Sequence, residues 1–469
     1  MSPPRAAPRS FLAAGPGDRS IARRLYSAVA RAPIISPHGH THARWFASNA
    51  PFADATSVLL WPDHYLLRML YSQGIGFDAL GLADHGKTPR EADRRKVWQL
   101  FAANYHLFRG TPSRWWLDHV FAEVFGLELA LEAQTAEHYY DAIGAALARP
   151  EFLPRALFER FGIEVLATTE GATEALLHHE TIAREWGRRV ITTFRPDDVV
   201  DPEREDFPDN LRSLAAITGQ DVESWSGYLR ALRLRRAEFR AHGATATDHG
   251  HPTALTADLR DARAEQLFRR VTQGRASAAD AELFRAQMLT EMARMSIEDG
   301  LVMQLHPGSV RNHSTAILAR FGRDKGFDIP APVDYVHALR PLLEAHGMDN
   351  RLRLIVFTLD ETTYARELAP MAGAYPALKI GPAWWFFDSP EGMRRYREAV
   401  TETAGFYNTV GFNDDTRAFC SIPARHDVAR RVDCAYLATL VATGRLAEAD
   451  AHEVAHDLAY RLAKEAYRL

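Results

Sequence analysis

Three histidines alternate with other residues in the stretch PHGHTHARW, residues 37–45. Side chains two residues apart in a strand point to the same face, so His38 and His40 can reach one bound ion. Neutral imidazole suits zinc and similar divalent ions, and a carboxylate completes such a ligand set. An isolated His-x-His pair is more often structural, however, and a polar loop rich in histidine is the alternative interpretation.

Other ionisable side chains stand at the ends of short apolar runs. A metal site and a substrate site can form where such ends converge, because each end supplies one or two side chains. The residues at these ends are Arg195, Asp248, His306 and Asp415. Any one of them alone is a weak signal, and His306 by itself is compatible with an ordinary loop histidine.

Arginines form a second pattern, because Arg195, Arg311 and Arg417 each lie at or shortly after the end of an apolar run. A guanidinium can form two parallel hydrogen bonds with one carboxylate. Several guanidinia beside a metal would therefore suit a small anionic substrate. The alternative is that each arginine pairs with a nearby acid, such as Arg417 with Asp414, and the sequence leaves both interpretations open.

Eight apolar runs have the character of buried parallel strands, and helical patterns separate most of them. The runs cover residues 32–40, 162–170, 188–197, 243–250, 300–308, 353–361, 377–386 and 406–417. Alternating strands and helices indicate parallel βα units, and eight units predict an α/β fold of the (β/α)8 TIM-like barrel type. The carboxyl ends of the strands in such a barrel build the active site.

Two helical stretches exceed what a minimal barrel needs. They follow the first and third strands, and we interpret them as helical insertions at about 50–155 and about 200–242. The remaining organisation is an N-terminal lead-in and helix at 1–30 and a single barrel domain at 31–469. The lead-in could also be a transit peptide, although no apolar or amphipathic segment precedes its helix.

Composition excludes several function classes. The chain has 469 residues, 56 basic against 60 acidic side chains and a formal net charge of −4, which gives no electrostatic case for nucleic acid or an anionic membrane. Its two cysteines cannot form a zinc ribbon and indicate a reducing compartment. No apolar run approaches the roughly 18–20 residues of a membrane span. These features predict a cytoplasmic protein and leave homo-oligomerisation open.

Three aromatic or histidine side chains have ambiguous roles. Tyr65 and His64, in WPDHYLLR, lie in the first insertion, and Trp384 ends the seventh strand. A phenol can donate a hydrogen bond to an oxyanion or transfer a proton. On sequence alone, however, a tyrosine on an apolar helix and a tryptophan at a strand end are more often packing residues.

Together these motifs resemble the uronate (glucuronate) isomerases of the amidohydrolase superfamily. HGH is similar to the family's His-Cys-His, DHYLLR to its Asp-His-Tyr motif and FRPD to its Trp-Arg-Pro-Asp. MQLHPGSVRNHS, WWFFD and NDDTRAFCSIPARHDVARR resemble three later signatures. The resemblance runs from IARRLY to the C-terminus. It implies a (β/α)8 barrel that converts D-glucuronate to D-fructuronate, D-galacturonate to D-tagaturonate, or both.

The resemblance also implies roles for individual residues. The implied metal ligands are His38, His40 and Asp415, which would hold one divalent ion, with zinc expected. The implied catalytic residues are Asp415, Tyr65, Arg417 and His306. The substrate-binding residues are expected to be Arg195, Asp248, Arg311, Trp384 and His64. We expect no nicotinamide or flavin cofactor, and we place His42, which has no family counterpart, in the loop or at the pocket rim.

Several positions depart from the family pattern, and they indicate a divergent member. Ser36-Pro37 replaces Asp-Tyr before the first histidine, Gly39 replaces the intervening cysteine, and Glu170-Gly171 replaces paired aspartates. The expected reaction opens the sugar ring and moves a proton from C2 to C1 through an enediolate. Asp415 would take the ring hydroxyl proton, Tyr65 and Arg417 would stabilise the enediolate, and Tyr65, His38 or Asp415 would carry the C2 proton.

Two other function classes remain open at this point. A metal-dependent hydrolase such as a lactonase or amidase could use the same barrel with a metal-activated water. It would not need the arginines together with Tyr65. A non-catalytic protein that binds sugar acids is the other alternative, and the retained metal-ligand pattern disfavours it.

Overall fold

The computed structural model describes residues 16–84, 87 and 89–469. Residues 1–15, which include most of the predicted lead-in before its helix, lie outside this description. The described chain contains nine strands. They are β1 Ile34–Ser36, β2 Ile163–Gly171, β3 Val190–Arg195, β4 Ala246–His249, β5 Val302–Leu305, β6 Ser309–Val310, β7 Ile329–Pro330, β8 Leu354–Val356 and β9 Leu378–Ile380. Seven of the eight predicted strand runs therefore contain an observed strand.

Those seven strands form one parallel sheet in the order β1-β2-β3-β4-β5-β8-β9. Each strand pairs with the next strand of the alternating pattern, as a (β/α)8 barrel requires. Burial is nearly complete along β3, β4, β5 and β8. Their apolar character follows, because strands enclosed by side chains on one face and helices on the other meet little water.

The eighth predicted strand, residues 406–417, is not a regular strand. Only Thr409 forms a parallel bridge, to Ile380. Backbone angles φ of 75° at Gly411 and 37° at Asp415 bend the segment away from extended geometry, so no ladder can continue. The segment still reaches both edges of the sheet. The Ile380 amide donates to the Asn408 carbonyl at 2.9 Å, and the His40 amide donates to the Thr416 carbonyl at 3.0 Å.

Helices surround the sheet. They are α1 Pro16–Val29, α2 Ala43–Ser48, α3 His64–Ser72, α4 Arg94–Ala103, α5 Pro112–His119, α6 Ala136–Leu147, α7 Pro154–Arg160, α8 Leu177–Trp186, α9 Asp197–Val200, α10 Phe207–Thr218, α11 Trp225–Ala241, α12 Asp261–Thr272, α13 Ala278–Asp299, α14 Thr315–Phe321, α15 Tyr335–Ala338, α16 Arg340–His346, α17 Tyr364–Ala374, α18 Pro390–Ala404, α19 Ile422–Ala442, α20 Glu448–His456 and α21 Leu462–Ala466. Ser389 caps α18 by accepting from the Gly392 amide at 3.0 Å, with Pro390 in the first turn, as predicted.

Both helical insertions are present. Helices α3–α6 lie between β1 and β2, and α10 and α11 lie between β3 and β4. The first insertion packs against the first strands in one apolar cluster, in which Trp98 and Phe101 join Ile34 of β1 and Ile163 of β2. Trp116 of α5 packs in the other large cluster around the barrel. The insertion is thus joined to the barrel through both clusters. The division into a lead-in and one barrel domain stays a prediction.

The loop after β5 contains structure that the sequence patterns did not predict. Its strands β6 and β7 pair antiparallel, and α14 lies between them. A lone two-residue pairing is a weak element, so alternating apolar residues give no signal for it. This hairpin begins directly after His306 and carries Arg311.

Other expectations concern the cysteines and the membrane. Cys420 and Cys434 are both unpaired and buried. Within the described ranges, no helix has the length and apolar character that a bilayer crossing requires.

A buried ion pair joins the two helices that precede β4 and β5. Arg236 of α11 is fully buried, and its Nε donates to Oδ2 of Asp299 in α13 at 2.6 Å while Nη2 donates to Oδ1 at 2.9 Å. Arg233, one helical turn before Arg236, and Glu298, the residue before Asp299, form a solvent-exposed pair at 2.7 Å. The two pairs join the same helices and differ mainly in burial.

We expect Asp299→Ala to lower the free energy of unfolding by about 3–5 kcal/mol, because it leaves the Arg236 charge buried without a partner. Glu298→Ala should cost less than about 1 kcal/mol, since exposed ion pairs contribute little. Urea unfolding followed by circular dichroism measures both. Equal losses in the two variants would contradict the assigned role of burial.

Candidate active site

A pocket of about 610 Å³ opens at the carboxyl ends of the strands, and a wider cleft that shares Arg195, Arg311 and Arg417 adjoins it. All the predicted site residues line the pocket. They are His38, His40, His64, Tyr65, Arg195, Asp248, His306, Arg311, Trp384, Asp415 and Arg417, and four further lining residues are Asp324, Gly326, Asp328 and Trp385. The structure thus brings together side chains from both ends of the chain, although the pocket alone does not assign their roles.

Asp415 is at the centre of the imidazole group. Its Oδ1 lies 3.5 Å from Nε2 of His38 and 3.3 Å from Nε2 of His40. The Trp384 indole N–H donates to the other carboxylate oxygen, Oδ2. The positive φ of Asp415 is costly for a residue other than glycine. It accompanies the bend that turns this carboxylate toward both histidines.

Electrostatics favour a carboxylate at Asp415 and an uncharged imidazole at His40. Burial by itself raises the pKa of Asp415, but His38 and His40 outweigh burial and hold that pKa well below its usual range. Burial lowers the pKa of His40, although Asp415 opposes this effect. Asp415 is therefore ionised at neutral pH, and His40 is an uncharged imidazole with a lone pair available for a ligand.

The pocket contains a suitable donor set for one divalent metal ion. Potential ligand atoms of His38, His306 and Asp415 all lie within 4.8 Å of one another. Asp415 Oδ1 and His306 Nε2 are buried and have no hydrogen-bond partner. Two or three imidazoles with one carboxylate match the ligand preference of zinc and related ions. The residues present fit a metal. The predicted ligands His38 and Asp415 share this donor group with His306, whereas the third predicted ligand, His40, contacts Asp415 but is not one of the three.

Asp248 orients His306 from the adjacent strand. Nδ1 of His306 lies 2.7 Å from Asp248 Oδ1, and Nη1 of Arg195 lies 3.0 Å from Asp248 Oδ2. Burial raises the pKa of Asp248, but Arg195 and His306 outweigh it and keep the pKa well below the usual range. Burial lowers the pKa of His306 to about 4, against the opposing effect of Asp248. His306 thus donates a hydrogen bond from Nδ1 to Asp248, and the lone pair of its Nε2 points away from Asp248.

The three predicted arginines all have acidic partners, and they also face the pocket. Arg195 contacts two carboxylates, because its Nε also donates to Asp197 at 2.8 Å. Arg311 pairs with one carboxylate, Asp328, at 3.2 Å. The two interpretations of these arginines therefore do not exclude each other.

Arg417 pairs with an acid that the sequence did not indicate. Its Nη2 lies 3.2 Å from Oδ2 of Asp324, in the loop between α14 and β7. The suggested pairing of Arg417 with Asp414 is wrong. Asp414 instead contacts Nε2 of His426 at 3.0 Å in the buried interior. The side chains of adjacent Asp414 and Asp415 face different environments, because the backbone bends at Asp415, near the end of the predicted run 406–417.

The first insertion contributes Tyr65 and His64 near the start of α3. The Tyr65 hydroxyl donates to Oδ1 of Asp388 at 3.2 Å. The Trp385 indole N–H donates to Nε2 of His64 at 3.1 Å. Burial lowers the pKa of His64 to about 3, so its imidazole is neutral and accepts this hydrogen bond.

Five residues around the site did not emerge as site candidates from the sequence. They are Asp324, Asp328, Trp385, Asp388 and Arg425. Trp385, Asp388 and Arg425 lie within the motifs WWFFD and NDDTRAFCSIPARHDVARR, so the motifs marked their segments without indicating their contacts. Asp324 and Asp328 lie in the loop after β5, where no pattern distinguishes them from surface acids.

His42 is not in this pocket. It is the N-cap residue of α2, and its ring meets Trp45 edge to face at 5.0 Å. Both residues line a separate surface groove. β1 ends at Ser36, so the prediction that His38 and His40 lie on the strand itself is wrong, and all three histidines follow it in the loop. The chain enters α2 directly after His42, and His42 faces the groove instead of the pocket.

Comparison with known proteins agrees with the motifs. The family model for glucuronate isomerase matches residues 10–467. A uronate isomerase from Phenylobacterium zucineum is 64% identical, covering 100% of this chain and 97% of the relative. A crystal structure of glucuronate isomerase from Caulobacter crescentus is 59% identical with a TM-score of 0.98, and the match covers 99% of this chain and 98% of that one.

A more distant solved structure supports the fold. Uronate isomerase from Thermotoga maritima is 24% identical with a TM-score of 0.91, covering 99% of this chain and 100% of that one. The barrel is therefore retained at low sequence identity. From the extent and identity of these matches, the chain belongs to the glucuronate isomerase family.

Proposed function

We propose that this chain catalyses the aldose–ketose isomerisation of hexuronates, converting D-glucuronate to D-fructuronate, D-galacturonate to D-tagaturonate, or both. The observation that carries this proposal is one pocket in which an ionised carboxylate beside imidazoles faces a phenol and three guanidinia. A hexuronate needs each of these groups, because it has a carboxylate, a ring hydroxyl to deprotonate and a C2 proton to move. The printed names of the relatives support the same reaction.

Arg311 is the strongest candidate to hold the C6 carboxylate of the substrate. Arg195 already contacts two carboxylates, Asp197 and Asp248. Arg311 has one carboxylate partner and lies over the Trp385 ring, with its Cζ 5.3 Å from the ring centroid. A guanidinium with one paired edge retains donors for a second anion. Arg417, also with one partner, is then available for charge that develops on the enediolate.

Asp415 opens the sugar ring by accepting the proton of the ring hydroxyl at C1 and delivering it to the ring oxygen as the bond from C1 to that oxygen breaks. Its Oδ2 is held by the Trp384 indole, while Oδ1 faces the donor group of the pocket. The fixed orientation places the basic oxygen before substrate arrives, which lowers the entropic cost of proton transfer. Ring opening exposes the aldehyde at C1 and makes the C2 proton acidic.

Tyr65 carries the proton from C2 to C1. His38 and Asp415, the other two candidates for this role, belong to the donor set that fits a metal. Tyr65 approaches from the first insertion and contributes a hydroxyl outside that set. One group that removes and returns the proton explains transfer between adjacent carbons through a cis-enediolate.

His38, His40 and Asp415 would hold a divalent ion, and we propose zinc because imidazole nitrogen and carboxylate oxygen suit its coordination. When bound, such an ion supplies Lewis-acid stabilisation to substrate oxygens. The hydrolase alternative is not favoured, since the guanidinia and Tyr65 have no role in simple hydrolysis. We also propose a cytoplasmic location, which the unpaired, buried thiols of Cys420 and Cys434 support.

Asp415→Asn should lower kcat on both uronates by about 10²–10⁴-fold, because the amide cannot accept the ring hydroxyl proton. Ketose formation is measured by NMR or by borohydride trapping. Asp349→Asn, which alters a partly exposed acid paired with Arg351 outside the pocket, should retain full activity. Full activity of Asp415→Asn on every uronate tested would refute the assignment.

His38→Ala and His40→Ala should each lose more zinc affinity than the roughly 10–100-fold that an outer partner contributes, because each removes a direct ligand. Zinc per chain is measured by mass spectrometry, and affinity by competition with a chelator. His42→Ala is the matched control from the same stretch and should bind zinc normally. Equal zinc loss in all three variants would contradict the ligand assignment.

Arg311→Met should raise KM for glucuronate by about 10–100-fold with a smaller change in kcat, since a charge-assisted hydrogen bond contributes about 1.5–3 kcal/mol. Arg320→Met, which removes an exposed guanidinium on α14 paired with Asp84, is the control. An unchanged KM in Arg311→Met would move the carboxylate site to another arginine.

A further inference from the structure

Tyr65 is supported by a carboxylate behind the pocket wall. Its hydroxyl donates to Oδ1 of Asp388 at 3.2 Å and lies 3.4 Å from Oδ2. Asp388 is 7% exposed and directly precedes Ser389, the N-cap of α18. Unlike Tyr65, Asp388 is not among the residues that line the pocket. Tyr65 is thus the pocket-lining side chain to which Asp388 is hydrogen-bonded.

Arg425 fixes this carboxylate from the other side. Its Nη1 donates to Asp388 Oδ2 at 3.0 Å, and its Nε donates to Ser421 Oγ at 3.2 Å. The guanidinium lies 3.6 Å from the ring centroid of Trp116, which also meets the Tyr65 ring edge to face at 5.9 Å. A buried carboxylate needs such a partner, and the stacked guanidinium cannot easily move away.

The direction of the Tyr65 hydrogen bond has a chemical consequence. A phenol has one proton, and here that proton points to Asp388 rather than into the pocket. The oxygen consequently presents a lone pair to the substrate. A phenol in this orientation can accept a proton from the pocket side if it releases its own proton to the carboxylate behind it.

We propose that Asp388, held by Arg425, is a positioning residue that accepts the Tyr65 phenol proton while Tyr65 accepts the C2 proton of the substrate. This inference rests on the proposed isomerisation and specifies how Tyr65 serves as its proton carrier. It assigns a role to two side chains that lie outside the pocket lining.

The proton balance is closed within the site. The C2–H bond breaks, its electron pair forms the C1–C2 double bond, and the C1 carbonyl π pair moves onto O1 to give the enediolate. A new O–H bond forms on Tyr65 as the original phenol O–H bond breaks and an O–H bond forms on Asp388. At C1 the steps reverse: Tyr65 delivers its proton to carbon and recovers one from Asp388, while the O2 hydroxyl proton passes to the adjacent O1 of the cis-enediolate and C2 becomes the ketone carbonyl. No external acid, base or oxidant is consumed.

The environment of both groups suits a transient exchange. Burial raises the pKa of Asp388, although Arg425 and Tyr65 oppose the increase, so the carboxylate can hold a proton during the step. Burial and the adjacent Asp388 charge raise the pKa of Tyr65, which disfavours a standing phenolate. A paired transfer avoids that phenolate. The present 3.2 Å separation permits closer approach when substrate binds.

The test is a double-mutant cycle of Tyr65→Phe and Asp388→Asn in the full-length, zinc-loaded enzyme with glucuronate. Asp388→Asn should lower kcat by about 100-fold or more and change KM by less than about 3-fold. The double variant should be no slower than Tyr65→Phe alone, because residues that act through one another are not additive. Glucuronate deuterated at C2 should show a larger isotope effect on kcat in Asp388→Asn than in the wild type.

Asp433→Asn is the matched control. Asp433 of α19 pairs with Arg397 of α18 at 2.9 Å, so it joins the same two helices but lies outside the active-site pocket. This variant should keep wild-type kcat. Asp388→Asn leaves Arg425 without its charge partner, so thermal unfolding is measured for each variant. If Asp388→Asn does not fold, Asp388→Glu keeps the charge, displaces the carboxylate and should show the same selective loss of kcat.

The outcomes separate this inference from the proposed function. Wild-type turnover with an unchanged kcat in Asp388→Asn, or additive losses in the cycle, would overturn the Asp388 role and leave isomerisation intact. A rise in KM with unchanged kcat would also overturn it, since that result indicates a binding role. A wild-type enzyme that isomerises no hexuronate would refute the proposed function and with it this inference.

Discussion

The contact of one carboxylate with two imidazoles organises this site. Asp415 Oδ1 meets Nε2 of His38 and Nε2 of His40 at 3.5 and 3.3 Å, across the place where the last barrel segment returns to the first strand. That contact depends on the positive φ of Asp415 and on the hydrogen bond that the His40 amide donates to the Thr416 carbonyl. Closure of the barrel and assembly of the donor group are thus the same structural event.

Charge compensation shapes the rest of the pocket. Each guanidinium facing the substrate space has at least one carboxylate partner, as Arg195, Arg311 and Arg417 show. The three arginines differ in the number of carboxylates they pair with, and the sequence motifs do not show this difference. Free donors remain on Arg311 and Arg417, while Arg195 chiefly supports Asp248 and hence His306. In the proposed function, substrate binding and support of the imidazole group are in this way divided between side chains of one type.

The parts outside the barrel complete the site. The first insertion brings Tyr65 to the mouth, and the hairpin after β5 brings Arg311. Trp116 anchors the insertion by stacking on Arg425, which in turn holds Asp388 behind Tyr65. The position of the Tyr65 phenol therefore depends on packing among three separated chain segments. Its position follows from the fold of the insertion on the barrel and cannot be read from α3 alone.

Sequence reasoning was most successful where a pattern is local. Apolar runs of strand length located seven strands, because burial on both faces requires continuous apolar residues. The strand prediction failed at 406–417, where positive φ angles interrupt a run that has apolar composition. The loop after β5 gave no signal for its two strands, because β6 and β7 have two residues each and owe their pairing to the surrounding structure. For the same reason Asp324 and Asp328 resembled surface acids.

The sequence by itself determined the barrel class, the family and the set of side chains at the strand ends, since these depend on periodicity and on motifs within short segments. Only the tertiary structure decided their partners. It separated His42 from His38 and His40, gave Arg417 to Asp324 rather than Asp414, and placed Asp388 behind Tyr65. The physical reason is that hydrogen bonds and ion pairs depend on distances of about 3 Å. Residues hundreds of positions apart reach such distances only when the chain is folded.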